Sequence, residues 1–228
     1  MITSAQAARL IDISAVRTAH NSTDIEKLVK YAKEYSFINV HVLPNWVKFL
    51  ANLIKDIDGV YVGAPVGFPS GGHKTEIKIA EAKGLIEDGV EEMDIMMNVG
   101  RFLNKEYDYV LSELTQIIKD APENVLTKVI IEINLLNDDE MKRACELVIN
   151  SGADFVKTGT GWIPGDANLE RIRKMKQICG SQIKIKAAGG IRTPQEFQKL
   201  CDMGVERMGI NTKSALEIVE YFKAREKV

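Results

Sequence analysis

Lys128-Val129-Ile130-Ile131-Glu132-Ile133-Asn134 divides by parity: Lys128, Ile130, Glu132 and Asn134 fall on one face of an extended chain, and Val129, Ile131 and Ile133 on the other. One face carries charge and the other is wholly aliphatic. The stretches before and after it, 108–119 and 138–150, space their apolar residues as helices do. Helices therefore cover the aliphatic face, and the charged face is left to point into the interior of a closed sheet.

The same division recurs along the chain. Asp94, Met96 and Asn98 oppose Met93, Ile95 and Met97; Lys184 and Lys186 oppose Ile183, Ile185 and Ala187; Phe155 and Lys157 flank Val156 on the other face. Short β-branched runs at 10–14, 37–43, 60–66, 93–97, 125–133, 153–158, 183–188 and 205–210 alternate with amphipathic segments such as 75–87, 108–119, 138–150, 169–179 and 193–202. Gly59, Gly89, Gly152, Gly180 and Gly204 stand where helices end and strands begin. About eight strand–helix units in unbroken series predict a single-domain (β/α)₈ barrel, the TIM-barrel architecture, over residues 1–228. An open doubly wound sheet usually carries a glycine-rich turn after its first strand, and here that position reads Arg17-Thr18-Ala19-His20.

The chain has 228 residues, 45% hydrophobic and 27% charged, with 17 Gly and 6 Pro. These proportions belong to a folded globular protein and exclude collagen, disulfide scaffolds and disorder. A net charge of −2 supplies no field for holding nucleic acid, although a local basic pocket can still meet an acidic small molecule. Cys145, Cys179 and Cys201 are scattered and odd in number, which reads as reduced cysteine. Residues 1–10 lack a signal-peptide pattern, and no apolar run is long enough to span a membrane. A cytoplasmic location is expected. His20, His41 and His73 are too dispersed to suggest a metal site, and neither metal nor cofactor is expected.

The expected interior carries Asp12, Asp94 and Glu132 against Lys128, Lys157, Lys184 and Lys186. Each alone is explained as well by an ion pair that pins strand register. Together, four lysines against three carboxylates leave an ammonium beside another, and like charge plus burial lower a lysine pKa until the amine is a nucleophile toward carbonyls. Lys157 and Lys186 end their strands and are followed by Thr158-Gly159-Thr160-Gly161 and Ala187-Ala188-Gly189-Gly190. Bare glycine amides, the helix start near Thr193 and the Arg192 guanidinium are suited to cradling a phosphate. Trp162 is a candidate wall of that site, and Trp46 a candidate core residue.

Asp94 in Glu-Met-Asp-Ile, Lys157 in Asp-Phe-Val-Lys-Thr-Gly-Thr-Gly, and Lys186 in Ile-Lys-Ala-Ala-Gly-Gly-Ile-Arg-Thr resemble the motifs of the deoxyribose-phosphate aldolase family. Lys128 to Glu132, and Gly67-Phe68-Pro69 before Thr75-Glu76, are similar to it as well. The resemblance runs from about Ile11 to the final helix. It implies a metal-free class I aldolase in which Lys157 forms an imine with the carbonyl donor, Lys186 depresses the Lys157 pKa, and Asp94 shuttles protons. The implied substrate is 2-deoxy-D-ribose 5-phosphate, cleaved to glyceraldehyde 3-phosphate and acetaldehyde.

Departures from the family pattern lie at the far end of the substrate. The last loop reads Gly209-Ile210-Asn211-Thr212, without the usual pair of serines, and His41 stands where cysteine is common. The expected phosphate site comprises Gly161, Gly189, Gly190, Arg192, Gly209, Asn211 and Thr212, with Asp12, Ser14, His41 and Thr160 as candidate substrate contacts. Two alternatives stay open: a Schiff-base aldolase of the same fold for another phosphorylated or acidic sugar, and an idle barrel that only binds a sugar phosphate. The expected partner is a small phosphorylated sugar, and the sequence is compatible with a homo-oligomer.

Overall fold

The computed structural model describes residues 2–163 and 168–226. Eight parallel strands close into a barrel in chain order: β1 (Ile11–Ala15), β2 (Asn39–Val42), β3 (Tyr61–Val66), β4 (Glu92–Met96), β5 (Leu126–Ile130), β6 (Phe155–Lys157), β7 (Lys184–Ala188) and β8 (Arg207–Ile210). Around them run α1 (Ser4–Ala8), α2 (Ser22–Tyr35), α3 (Val47–Ile54), α4 (Thr75–Glu87), α5 (Val99–Leu103), α6 (Tyr107–Lys119), α7 (Asp138–Asn150), α8 (Leu169–Cys179), α9 (Pro194–Asp202) and α10 (Thr212–Arg225). The barrel expected from strand parity is therefore present. Residue 1 and residues 227–228, which complete the expected domain span and its charged tail, lie outside the described residues.

The helices begin where local chemistry satisfies their first amides. Asn21 with Asp24, Asn137 with Glu140, and Thr193 with Glu196 form reciprocal capping boxes at α2, α7 and α9. Gly89 after α4 and Gly180 after α8 take positive φ, 93° and 55°, as helix-to-strand reversals require. The outward strand residues, among them Ile11, Ile13, Val40, Val42, Ala64, Met93, Ile95, Val129, Val156, Ile185 and Met208, are buried against the helical layer. Trp46 is half-buried and packs on Phe49. Among the described residues, no helix is long and apolar enough to cross a membrane.

Register then decides which inward residues become neighbours. Asp94 pairs with Lys128, Ile130 with Lys157, Lys157 with Lys186, and Lys186 with Arg207. Across the β1 side, Asp12 pairs with Asn39, and Ser14 with His41. Gly63 of β3 makes room for the histidine: a Cβ there would lie 2.0 Å from His41 Nδ1.

Two expectations about the inner face are corrected. The polar face drawn over 128–134 stops at Ile130, because Glu132 takes a left-handed backbone conformation (φ 51°) and Ile133–Leu135 winds into a 3₁₀ turn. Lys184 shares the face of Lys186 but opens β7, so its side chain reaches solvent beside the ring of Phe155, 5.5 Å away. It takes no part in the buried cluster.

Candidate active site

At the C-terminal end of the barrel a cavity of about 610 Å³ is lined by Asp12, Ser14, His41, Asp94, Lys157, Thr160, Lys186 and the loops after β6, β7 and β8, within the size range of small-molecule sites. Its floor is a buried charge cluster. Lys157 Nζ lies 2.6 Å from Asp94 Oδ2 and Lys186 Nζ lies 2.7 Å from the same oxygen. Lys186 also reaches Asp12 Oδ2 at 2.6 Å, and Lys128 stands 3.5 Å from Asp94 Oδ1.

The composition of this cluster differs from the expected one. Glu132 and Lys184 are outside it, while Glu92 and Arg207 are inside. Arg207 bonds Asp12 and Glu92, and Lys128 bonds Glu92 at 2.7 Å. Both newcomers obey the period that located the others: Glu92 precedes Asp94 by two residues, and Arg207 precedes Gly209 by two. Extending the alternation to the ends of β4 and β8 finds them.

Three carboxylates, Asp12, Glu92 and Asp94, thus face four cations, Lys128, Lys157, Lys186 and Arg207. Burial lowers the Lys157 pKa and outweighs the opposing pull of Asp94, with the Lys186 charge lowering it further, to about 8. For Lys186 burial acts in the same sense, but Asp12 and Asp94 together overcome it and raise its pKa. Burial would raise Asp94, yet His41, Lys157, Lys186 and Lys128 around it hold its carboxyl well below the ordinary carboxylate range. His41, desolvated and facing these lysines, is pushed well below the ordinary histidine value despite Asp94. Its Nδ1 meets Asn39 Oδ1 at 3.0 Å and its Nε2 lies 3.4 Å from Asp94 Oδ2. The arrangement offers one amine that deprotonates readily beside one that stays an ammonium.

The loop that follows Lys157 is fastened from the turn after β5. Glu132, 3% exposed, accepts the Thr160 amide at 3.0 Å and its hydroxyl at 2.5 Å, and Thr160 Oγ1 in turn accepts the Trp162 amide at 3.0 Å. Gly159 lets the carboxylate come close, since a Cβ there would lie 2.5 Å from Glu132 Oε1 and displace it. Thr160 consequently acts as a tie within the loop. Trp162 does wall the cavity: it packs edge-on against Phe68 and lies under the Arg17 guanidinium, which donates to Gly161 O at 2.6 Å. Neither Arg17 nor Phe68 is among the expected site residues, although Phe68 lies in the family-like Gly67-Phe68-Pro69 stretch.

The residues expected to form the phosphate site, Gly161, Gly189, Gly190, Arg192, Gly209, Asn211 and Thr212, all line this cavity. Two details of that expectation change. The Glu196 carboxylate accepts the amides of Arg192 and Thr193, so those two donors at the start of α9 are already engaged. The Asn211 side chain turns to α10, accepting from the Ser214 amide and donating to Ser214 Oγ. It serves as a helix cap.

The DeoC/LacD family aldolase model matches residues 7–211. The chain belongs to this aldolase family. The aldolase is 45% identical over 212 residues to the deoxyribose-phosphate aldolase of Sinorhizobium medicae, covering 93% of this chain and 85% of that one. To the deoxyribose-phosphate aldolase of Thermococcus kodakarensis it is 40% identical over 215 residues, covering 93% and 95%. Among solved structures, the aldolase QR15 superposes with a TM-score of 0.90 at 35% identity, covering 97% of both chains. A deoxyribose phosphate aldolase from Aeropyrum pernix, described as a unique tetramer, superposes with a TM-score of 0.88 at 26% identity, covering 98% of this aldolase and 93% of that chain.

Proposed function

We propose that this aldolase cleaves and forms 2-deoxy-D-ribose 5-phosphate through an imine on Lys157. The observation that carries the reading is the sharing of Asp94 Oδ2 by Lys157 and Lys186, with Lys157 brought down to about 8. At that pKa about one lysine in ten is neutral at pH 7, against fewer than about one in a thousand for an ordinary lysine.

The neutral Lys157 amine attacks C1 of the open-chain sugar phosphate. Loss of water from the carbinolamine requires a proton on its hydroxyl, and Lys186, the ammonium beside Lys157, is the group placed to supply one through Asp94. The protonated imine then accepts the electron pair of the breaking C2–C3 bond as the C3 hydroxyl gives up its proton. Glyceraldehyde 3-phosphate leaves, and the enamine left on Lys157 takes a proton at C2. Water adds to the imine and acetaldehyde is released. Asp94, bonded to both lysines, is the natural carrier between them.

At the other end of the cavity, the amides of the loops at Gly161, Gly189, Gly190 and Gly209, and the start of α10 at Thr212, suit a phosphate, with Arg192 beside them. An idle binding barrel is disfavoured because binding alone has no use for a desolvated lysine held at about 8. On this reading the enzyme works in the cytoplasm on a small phosphorylated sugar. The tetrameric description of the Aeropyrum pernix relative makes a homo-oligomer the assembly to look for by light scattering.

Borohydride reduction in the presence of acetaldehyde should add mass to the peptide bearing Lys157, and Lys157→Leu should abolish both the adduct and cleavage of 2-deoxy-D-ribose 5-phosphate. An adduct on Lys186 would overturn the assignment.

A further inference from the structure

We propose that Arg207 is a positioning residue for Lys157, acting through Asp12 and Lys186. Its guanidinium forks onto Glu92, with Nη1 3.1 Å from Oε2 and Nη2 3.0 Å from Oε1, and Nη1 also donates to Asp12 Oδ1 at 2.7 Å. The second Asp12 oxygen lies 2.6 Å from Lys186 Nζ. Lys186 in turn lies 2.7 Å from the Asp94 oxygen that Lys157 meets at 2.6 Å. Arg207, Asp12, Lys186, Asp94 and Lys157 thus form one alternately charged run from β8 to β6, with every step at 2.7 Å or less.

The surroundings of Arg207 make it an anchor. Planar, bidentate pairing fixes the orientation of the guanidinium. Lys128 holds Glu92 from the other side at 2.7 Å, and the ring of Phe155 lies 6.0 Å from the Arg207 guanidinium carbon. Asp12 and Lys186 line the cavity and Arg207 does not, so it reaches the reacting amine only through them. The interior groups facing it are Asp12 and Glu92, with Lys128 and Lys184 also near the Phe155 ring. Those around the Lys186 and Lys157 amines are Asp12, Asp94 and, against Asp94, His41 and Lys128.

Without Arg207, both Asp12 oxygens are available to Lys186. The Lys186 ammonium then moves toward Asp12 and leaves Asp94 Oδ2 to Lys157 alone. An undivided carboxylate at that distance favours the ammonium form of Lys157, the form that cannot attack a carbonyl.

This inference rests on Lys157 being the imine-forming residue. The test is acetaldehyde plus borohydride, with the rate of adduct formation at Lys157 followed against pH in wild type, Arg207→Met, Arg207→Lys and the pair Glu92→Gln/Arg207→Met. Arg207→Met strands buried carboxylates and is the variant at risk of not folding. The pair removes one buried charge of each sign, so the net charge of the cluster is kept and a shift reports the aim of Asp12. The half-maximal pH should rise by about one unit in the pair, a roughly tenfold slower reaction at pH 7, with KM for 2-deoxy-D-ribose 5-phosphate changed by less than about threefold. Arg207→Lys should shift by a smaller amount, since one ammonium cannot clamp Asp12 and Glu92 together. Unshifted profiles in the pair and in Arg207→Lys, with only thermal stability lowered, would overturn the role of Arg207. Wild type failing to trap at Lys157 would instead overturn the proposed function.

Discussion

Lys157 and Lys186 address a single oxygen, Asp94 Oδ2, from adjacent strands, at 2.6 and 2.7 Å. The pKa values of the two amines move in opposite directions. Lys157, held by Asp94 alone, goes down, whereas Lys186, held by Asp12 and Asp94, goes up. The asymmetry comes from Asp12 on β1, and it separates a nucleophile from a proton donor within one buried pair.

Replacing Lys186 by Met removes the cation beside Lys157 and leaves Asp94 undivided. Both changes raise the Lys157 pKa from about 8, so the acidic limb of kcat/KM for 2-deoxy-D-ribose 5-phosphate should move up by about one pH unit or more. A pH–rate profile measures this, and a limb that stays in place would mean Lys186 acts by contact and not by charge.

Lys157 also carries a stability signature. Its folded pKa of about 8 lies below the ordinary 10.5, so between those values the unfolded chain binds the extra proton and folding becomes more favourable as pH rises. Urea unfolding across pH 8 to 10.5 should show wild type gaining up to about 3 kcal/mol relative to Lys157→Met. Parallel curves for the two proteins would contradict a depressed Lys157.

Glu132 holds Thr160 by two hydrogen bonds and, through Thr160, the amide of Trp162. Glu132→Gln keeps the shape and loses the charge, weakening bonds of a kind worth about 1.5–3 kcal/mol. We expect kcat/KM to fall roughly tenfold or more while the acidic limb stays in place, because Glu132 does not touch Lys157, Lys186 or Asp94. Steady-state kinetics over pH separates the two effects.

Asn211 caps α10 through the Ser214 amide. Asn211→Ala should lower stability by about 1 kcal/mol, and Asn211→Ser, which retains a capping oxygen, by much less. Since the Asn211 side chain turns to the helix, Asn211→Ser/Thr212→Ser should leave kcat/KM for 2-deoxy-D-ribose 5-phosphate within about threefold of wild type. A tenfold rise would show that the divergent loop restricts the phosphate.

The sequence by itself determined the barrel and the location of its chemistry. Parity in Lys128–Ile130, Asp94–Met96 and Phe155–Lys157 separates a helix-facing aliphatic side from a charged interior, and this information is local, two residues at a time. The inward position of Lys157 at the end of β6 follows from the same count, as do the glycine loops beyond; Lys186 is inward as well but stands two residues before the end of β7 and not at its end. Their roles came from resemblance to a family, since parity alone does not distinguish one inward lysine from another. Tertiary structure decided the partners. Closure of β8 onto β1 brings Arg207 to Asp12 across nearly the whole chain, and the register of β6 on β7 puts two amines on one carboxylate. It also decided the exceptions: Glu132 leaves the inner face because the chain turns left-handed there, and Lys184 lies at the barrel's other mouth. A lysine pKa depends on distances of a few ångströms between strands, and those distances exist only once the sheet has closed.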